Sequence, residues 1–284
     1  MRVSGLVRDP AGRFSWLKTA VLAFAVSHAL ILLLRWQMHD LGARPITEAI
    51  HVTGLWAIRF LILSLAVTPA RAVLDWGRVV MLRRMLGVTA ACYAGAHLSL
   101  FALDQHFRLP HVASEIALRF YLTIGFVALL GLTALAVTST DGWQRKLGAR
   151  WKKLHRWVYG IAVLALVHYA LQSKANVTDA MLLAGLFAWL MYWRLLRRRW
   201  QRRLWPLLGL TLAAGATASV VEAGWYAVRN HVNPMLVWDA NFHIAYGPRP
   251  AVWVLIAGVA VFALAALRRL RKRPAMPRGA VRQA

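Results

Sequence analysis

Two stretches decide the fold: residues 85–103, MLGVTAACYAGAHLSLFAL, and residues 154–171, LHRWVYGIAVLALVHYAL. Each is apolar almost throughout and close to the roughly 20 residues that a helix needs to cross a hydrocarbon core of about 30 Å. Each carries one histidine deep in the run, His97 in the first and His168 in the second. A polar side chain at such depth is costly in lipid and marks a functional position by default. Working outward, six more runs of this kind lie at 16–34, 53–74, 120–138, 180–196, 204–225 and 251–267. The reading is an all-α polytopic membrane protein with eight spans. The run at 16–34 is too long for a signal-peptide core, and no small-x-small site follows it, so it reads as a retained span.

Composition agrees. The chain has 284 residues, 60% hydrophobic, with 14 Trp and a mean hydropathy of +0.51. Ten acidic residues stand against 35 Lys and Arg, for a net charge of +25, which excludes a soluble acidic enzyme. The single cysteine, Cys92, excludes an intrachain disulfide and any Cys-based zinc or iron–sulfur site. The basic residues sit between apolar runs, so their partner is the bilayer surface rather than nucleic acid. With the N-terminus inside, 27 of the 35 fall in cytoplasmic segments, as the positive-inside rule requires. Both termini are then cytoplasmic. The gaps between spans are short. The longest outer segment, 226–250, reads as a small folded loop, and 268–284 as a basic cytoplasmic tail after a short cytoplasmic N-terminus at 1–15.

Histidine carries the chemistry. His97 lies 11 residues past Leu86 and His168 lies 14 past Leu154, on two helices that both start at the cytoplasmic face. At about 1.5 Å per residue the depths are about 16 and 21 Å. Two imidazoles at similar depth on helices running the same way can ligate one iron from opposite sides, as in a bis-His haem b. Small neighbours such as Gly95, Ala96, Ala165 and Ala170 leave room for a porphyrin, but they equally suit plain helix packing. Spacing alone leaves haem ligands and hydrogen-bonded core histidines both open. His155 begins its span near the inner surface, about 220° out of phase with His168 on an ideal helix. At its depth on the span at 85–103 stand Arg83, Arg84 and Met85, with no histidine. A second haem at His155 would need another ligand; otherwise His155 binds a propionate or caps the interface. His28 reads as a satisfied core histidine. Arg59, Arg84 and Arg119 are candidate contacts for a haem propionate or a flavin phosphate, which arginine binds bidentately. No dinucleotide fingerprint, P-loop or H-E-x-x-H is present.

The chain resembles the ferric-reductase-like transmembrane family, and within it the YedZ/MsrQ branch. The resemblance rests on several groups of residues. One is Pro45 to Glu48, His51, and Thr53-Gly54-Leu55-Trp56-Ala57-Ile58-Arg59-Phe60. Others are Leu65 to Pro69, Arg83-Arg84-Met85-Leu86-Gly87 with Tyr93-Ala94 and His97, and Arg119, Tyr121 and Gly125 with Leu135 to Ser139. The last is Leu147-Gly148, Trp151, Leu154-His155-Arg156, Tyr159 and His168. It spans about 45–199, a little over half of the chain. It implies a six-helix haem-binding domain at 16–199, followed by an additional helix pair at 200–267. It also implies haem b at His97 and His168, with His155 a second or auxiliary haem site, so one haem or two, and an FMN. The expected role is that of an electron-transfer subunit in the bacterial inner membrane. It would take electrons from quinol and pass them to a periplasmic molybdopterin-dependent reductase that repairs methionine sulfoxide, without being the catalytic subunit itself. Two alternatives stand beside this reading: a stand-alone ferric or quinone reductase, and a metal or haem transporter or assembly factor. Against the last, no paired Gly/Pro breaks recur in matching halves.

Overall fold

The computed structural model describes residues 7–8, 12–174, 176–243 and 247–272. Most of the tail, the first residues and Tyr246 lie outside them. Among the described residues the regular structure is helical, apart from one isolated bridge between Arg8 and Phe14. The helices are α1 (Trp16–Gln37), α2 (Pro45–Val73), α3 (Leu82–Asp104), α4 (Leu109–Leu118), α5 (Phe120–Val137), α6 (Asp141–Leu147), α7 (Ala149–His155), α8 (Val158–Gln172), α9 (Thr178–Leu195), α10 (Trp205–Asn230), α11 (Pro234–Asp239) and α12 (Pro250–Lys272).

Seven helical segments are long and apolar enough to cross a membrane, with α7 and α8 counted as one, so the protein is multi-pass. Large apolar side chains such as Leu33, Leu130, Val163, Leu212 and Val259 are exposed on them. In water such a surface would be an aggregation liability, whereas in a bilayer it is the lipid contact. The predicted span at 180–196 is present as α9, 18 residues long, but is not one of the seven. Asp179, Arg194, Tyr192 and two tryptophans dilute its apolar character.

The structure differs from the sequence reading at three element boundaries. α2 starts at Pro45, eight residues before the predicted 53, because proline at the first turn gives up no hydrogen bond and Glu48 complements the helix dipole. The predicted span at 154–171 is broken: α7 ends at His155 and α8 starts at Val158. Ideal-helix phase therefore does not relate His155 to His168. α4 was not foreseen. It is a short amphipathic helix on the connection between α3 and α5, with Val112 buried.

The chain divides into two compact units. The first, 1–68 with 77–184, contains α1, most of α2, and α3 to α8. α5 lies along α8, and α3 and α4 pack on α5. Phe60, Leu65, Ala90, Leu132, Ile161 and Leu166 form its interior. α1 buries only Ala25 and is tied to α3 by the Tyr93 hydroxyl, which donates to the Ala25 carbonyl at 2.6 Å.

The second unit, 69–76 with 185–284, is dominated by the pair α10 and α12. Their backbones approach closely where Gly215 lies under Leu255 and Gly258 under the Thr211 side chain. Glu222 on α10 is fully buried, and its Oε1 accepts from Arg249 Nη2 at 2.8 Å. Its other oxygen has no hydrogen-bond partner among the described residues. Arg249 is therefore the main compensation for a buried carboxylate, and removing one partner of such a pair costs about 3–5 kcal/mol. Arg249→Met is expected to lower the melting temperature of the purified protein strongly, while Arg249→Met with Glu222→Gln recovers much of the loss. Equal melting of wild type and Arg249→Met would show that the pair carries no such weight.

Candidate metal centre

The first unit brings His97 and His168 together. His97 comes from α3 and His168 from α8, and their ring centres lie 6.2 Å apart with the planes at 83°. Each ring is held in the same way. His97 Nδ1 is 2.8 Å from the carbonyl oxygen of Ile50 on α2, and His168 Nδ1 is 2.8 Å from that of Tyr121 on α5. A carbonyl only accepts, so each Nδ1 carries the proton and donates. That fixes the neutral tautomer and leaves Nε2 of each ring with its lone pair, the state a metal ligand needs. The buried Thr53 steadies the α2 turn, donating to the Ala49 carbonyl at 2.7 Å and approaching that of Ile50 at 3.0 Å.

The spacing admits a metal ion. An imidazole centre lies about 1.2 Å from its own Nε2 and a metal–imidazole bond is about 2 Å long, so two such ligands in line on one ion place their centres about 6.4 Å apart. The observed 6.2 Å matches. No group of three or more His, Cys, Asp or Glu is placed to hold a metal among the described residues. Two imidazoles alone do not complete a shell for a bare ion. They suit a metal already held in a plane by four donors, as in a porphyrin.

His155 stands elsewhere, in the wall of an inner cavity of about 280 Å³ that Arg83, Arg84, Ser139, Gln144 and Trp151 also line. Its ring stacks on Trp151 at 3.9 Å, its Nδ1 is 3.2 Å from the Trp151 carbonyl oxygen and its Nε2 is 3.3 Å from Ser139 Oγ. Among the described residues no second histidine lines the cavity. Arg84 reaches Asp141 at 2.6 Å and Gln144 at 3.2 Å. That guanidinium, by its hydrogen bond and its charge, holds the Asp141 carboxyl below its ordinary range.

The other arginines are apart from this cavity. Arg59 lies 3.8 Å from Asp179 and over the Trp56 ring, and Arg119 pairs with Glu115 at 2.6 Å. Arg119 thus flanks Tyr121, whose carbonyl holds His168. His28 is satisfied as expected but is not in the core: it is half-buried, its Nδ1 bonds the Phe24 carbonyl at 2.7 Å and its ring lies 3.6 Å from that of Trp56. Sequence reasoning missed the two carbonyl partners, because a backbone acceptor has no side-chain signature.

The fold defines a multi-pass helical membrane protein with a pair of carbonyl-bonded imidazoles between helices of its first unit, and the comparisons with known proteins narrow the class. The profile of the family described as "Ferric reductase like transmembrane component" matches residues 53–166, a stretch that contains His97 and His155. A protein of Xanthomonas euvesicatoria pv. vesicatoria is 40% identical over 191 residues, covering 64% of this chain and 88% of the relative. One from Xanthomonas campestris pv. campestris (strain 8004) is 40% identical over 195 residues, 66% of this chain and 88% of the relative. One from Rhodospirillum rubrum is 44% identical over 165 residues, 56% and 79%. All three are named protein-methionine-sulfoxide reductase heme-binding subunit MsrQ. The chain belongs to this YedZ/MsrQ family. No solved structure matches it.

Proposed function

We propose that the chain is a membrane b-type cytochrome that carries electrons from the quinol pool to a periplasmic molybdopterin-dependent reductase of protein methionine sulfoxide. The observation that carries this reading is the His97–His168 pair, 6.2 Å between ring centres with both Nδ1 atoms bonded to carbonyls. In this reading His97 and His168 would hold the iron of a haem b. The haem, when bound, supplies a one-electron ferric/ferrous couple whose potential is set by its ligands and burial. The chain's own part is to present two neutral imidazoles, to keep water from the ligand atoms with the apolar faces of α2, α3, α5 and α8, and to place the site near one membrane face.

The inner cavity is the second cofactor site in this reading. It offers one imidazole, a stacking indole and two guanidinium groups. That set suits an auxiliary haem with His155 as its only imidazole, or the phosphate of an FMN at Arg84. Arg59 and Arg119 reach a propionate only by giving up the carboxylates they now face.

A visible spectrum tests the reading. Protein purified from haem-replete cells is expected to show a b-type Soret band that shifts on dithionite reduction, and colourless protein would sink it.

We also infer eight crossings, α9 included, in a bacterial inner membrane with both termini cytoplasmic, supported by the 27 basic residues that this places inside. An alkaline phosphatase reporter is expected to be active when fused at Asn233 and inactive when fused after Arg203. The reverse pattern would overturn the orientation.

A further inference from the structure

The two histidines share one more feature. Each ring lies on a glycine one helical turn after the carbonyl that holds it: His97 on Gly54, four residues past Ile50, and His168 on Gly125, four past Tyr121. A Cβ built on Gly54 would come within 2.9 Å of His97 Nδ1 and 3.1 Å of its Cε1. A Cβ on Gly125 would come within 2.6, 2.7 and 2.9 Å of His168 Nδ1, Cε1 and Cγ. These are ring atoms of side chains bonded at both ends of their reach, so the ring cannot turn aside without giving up its carbonyl. An alanine there must push the imidazole, and with it Nε2, away from α2 or α5.

We infer that Gly54 and Gly125 are positioning residues for the two ligands, with Gly125 the stricter, because each lets a histidine lie flat on a neighbouring helix and donate its Nδ1–H hydrogen bond to that helix's own carbonyl. This rests on the haem reading above. It adds that ligand geometry and tautomer are set by α2 and α5, the two helices that carry no ligand. Glycines on α3 and α5 supply matched controls. Gly95, two residues before His97, has nothing within 4 Å of a built Cβ. Gly131, on α5 like Gly125, would meet only the Ile161 side chain, at 2.9 Å. Gly131→Ala crowds the α5–α8 contact as Gly125→Ala does, but touches no histidine.

The test titrates detergent-solubilised apo-protein with hemin and records the electron paramagnetic resonance of each loaded variant. Loss of an outer partner of a metal ligand costs roughly 10–100-fold in affinity. Gly125→Ala is expected to raise the hemin Kd by about that factor and to convert low-spin signal to high-spin. Gly54→Ala is expected to do so more weakly, and Gly95→Ala and Gly131→Ala to stay within about twofold of wild type. Gly125→Ala matching Gly95→Ala, or Gly131→Ala matching Gly125→Ala, would overturn the inference. If Gly125→Ala does not accumulate, Gly54→Ala and a measurement on wild type decide. Nitrogen-15 solid-state NMR of the apo-protein is expected to show His97 and His168 protonated at Nδ1, and an Nε2-protonated tautomer at either would refute the inference. Should His97→Ala and His168→Ala bind hemin like wild type, the haem site itself is misplaced; should they lose it while the glycine variants do not, only the role of the glycines falls.

Discussion

Replacing His97 or His168 with alanine is expected to abolish the low-spin haem signal and most of the bound haem. The structure gives the site two imidazoles, and among the described residues no His, Cys, Asp or Glu joins them in a metal-holding group. An alanine at either position leaves the iron one axial ligand, and the space of a deleted imidazole is bordered by a glycine, Gly54 or Gly125, that has no side chain to substitute. Exogenous imidazole is expected to restore part of the low-spin signal, since the space it needs is the one vacated. His155→Ala is expected to leave that signal intact and to lower total haem by at most half, because His155 lines a different cavity with Trp151 and Ser139. The measurement is a pyridine haemochrome assay beside paramagnetic resonance. Loss of the low-spin signal in His155→Ala, with both other variants normal, would reverse the assignment of the two sites.

The pairing of His97 with His168 was legible because both are isolated polar residues in apolar runs, and helical rise turns sequence position into depth. The way they are held was not legible. Ile50 and Tyr121 act through their carbonyls, to which any residue type could contribute, and Gly54 and Gly125 act by lacking a side chain. Helix existence followed from hydropathy, yet α2 began at Pro45 rather than 53 because a first-turn proline extends a helix that hydropathy alone starts later. The break between His155 and Val158 was hidden in an unbroken apolar pattern, since the turn at Arg156 and Trp157 involves no Gly or Pro. α4 escaped because ten amphipathic residues fall far short of a span.

The last expectation concerns where the electrons go. His168 is four residues from the end of α8 at Gln172, and His97 is seven from the end of α3 at Asp104. Gly125 is five residues from the start of α5 at Phe120. At about 1.5 Å per residue the site lies roughly 6–10 Å from these helix ends. In the orientation proposed above, those ends are periplasmic. In the proposed function a haem there would be close to a docked periplasmic protein and far from cytoplasmic nicotinamide cofactors, which favours a membrane-dissolved quinol as donor. Reduced short-chain quinol is therefore expected to reduce the haem in membranes without added dehydrogenase. Reoxidation is expected to require both the soluble molybdoenzyme and methionine sulfoxide, with little change when either is omitted. We propose as the docking surface the segment at 230–243, where Asn241, just past α11, donates its amide to Ser219 Oγ on α10 at 2.9 Å. Its deletion is expected to slow reoxidation severalfold while the haem spectrum stays the same. Stopped-flow absorbance at the Soret maximum reads both steps separately. Haem that quinol leaves oxidised would remove the donor from this scheme, and unchanged reoxidation after the deletion would move the docking surface to the outer ends of α3, α4 and α5, where the ligand pair itself lies.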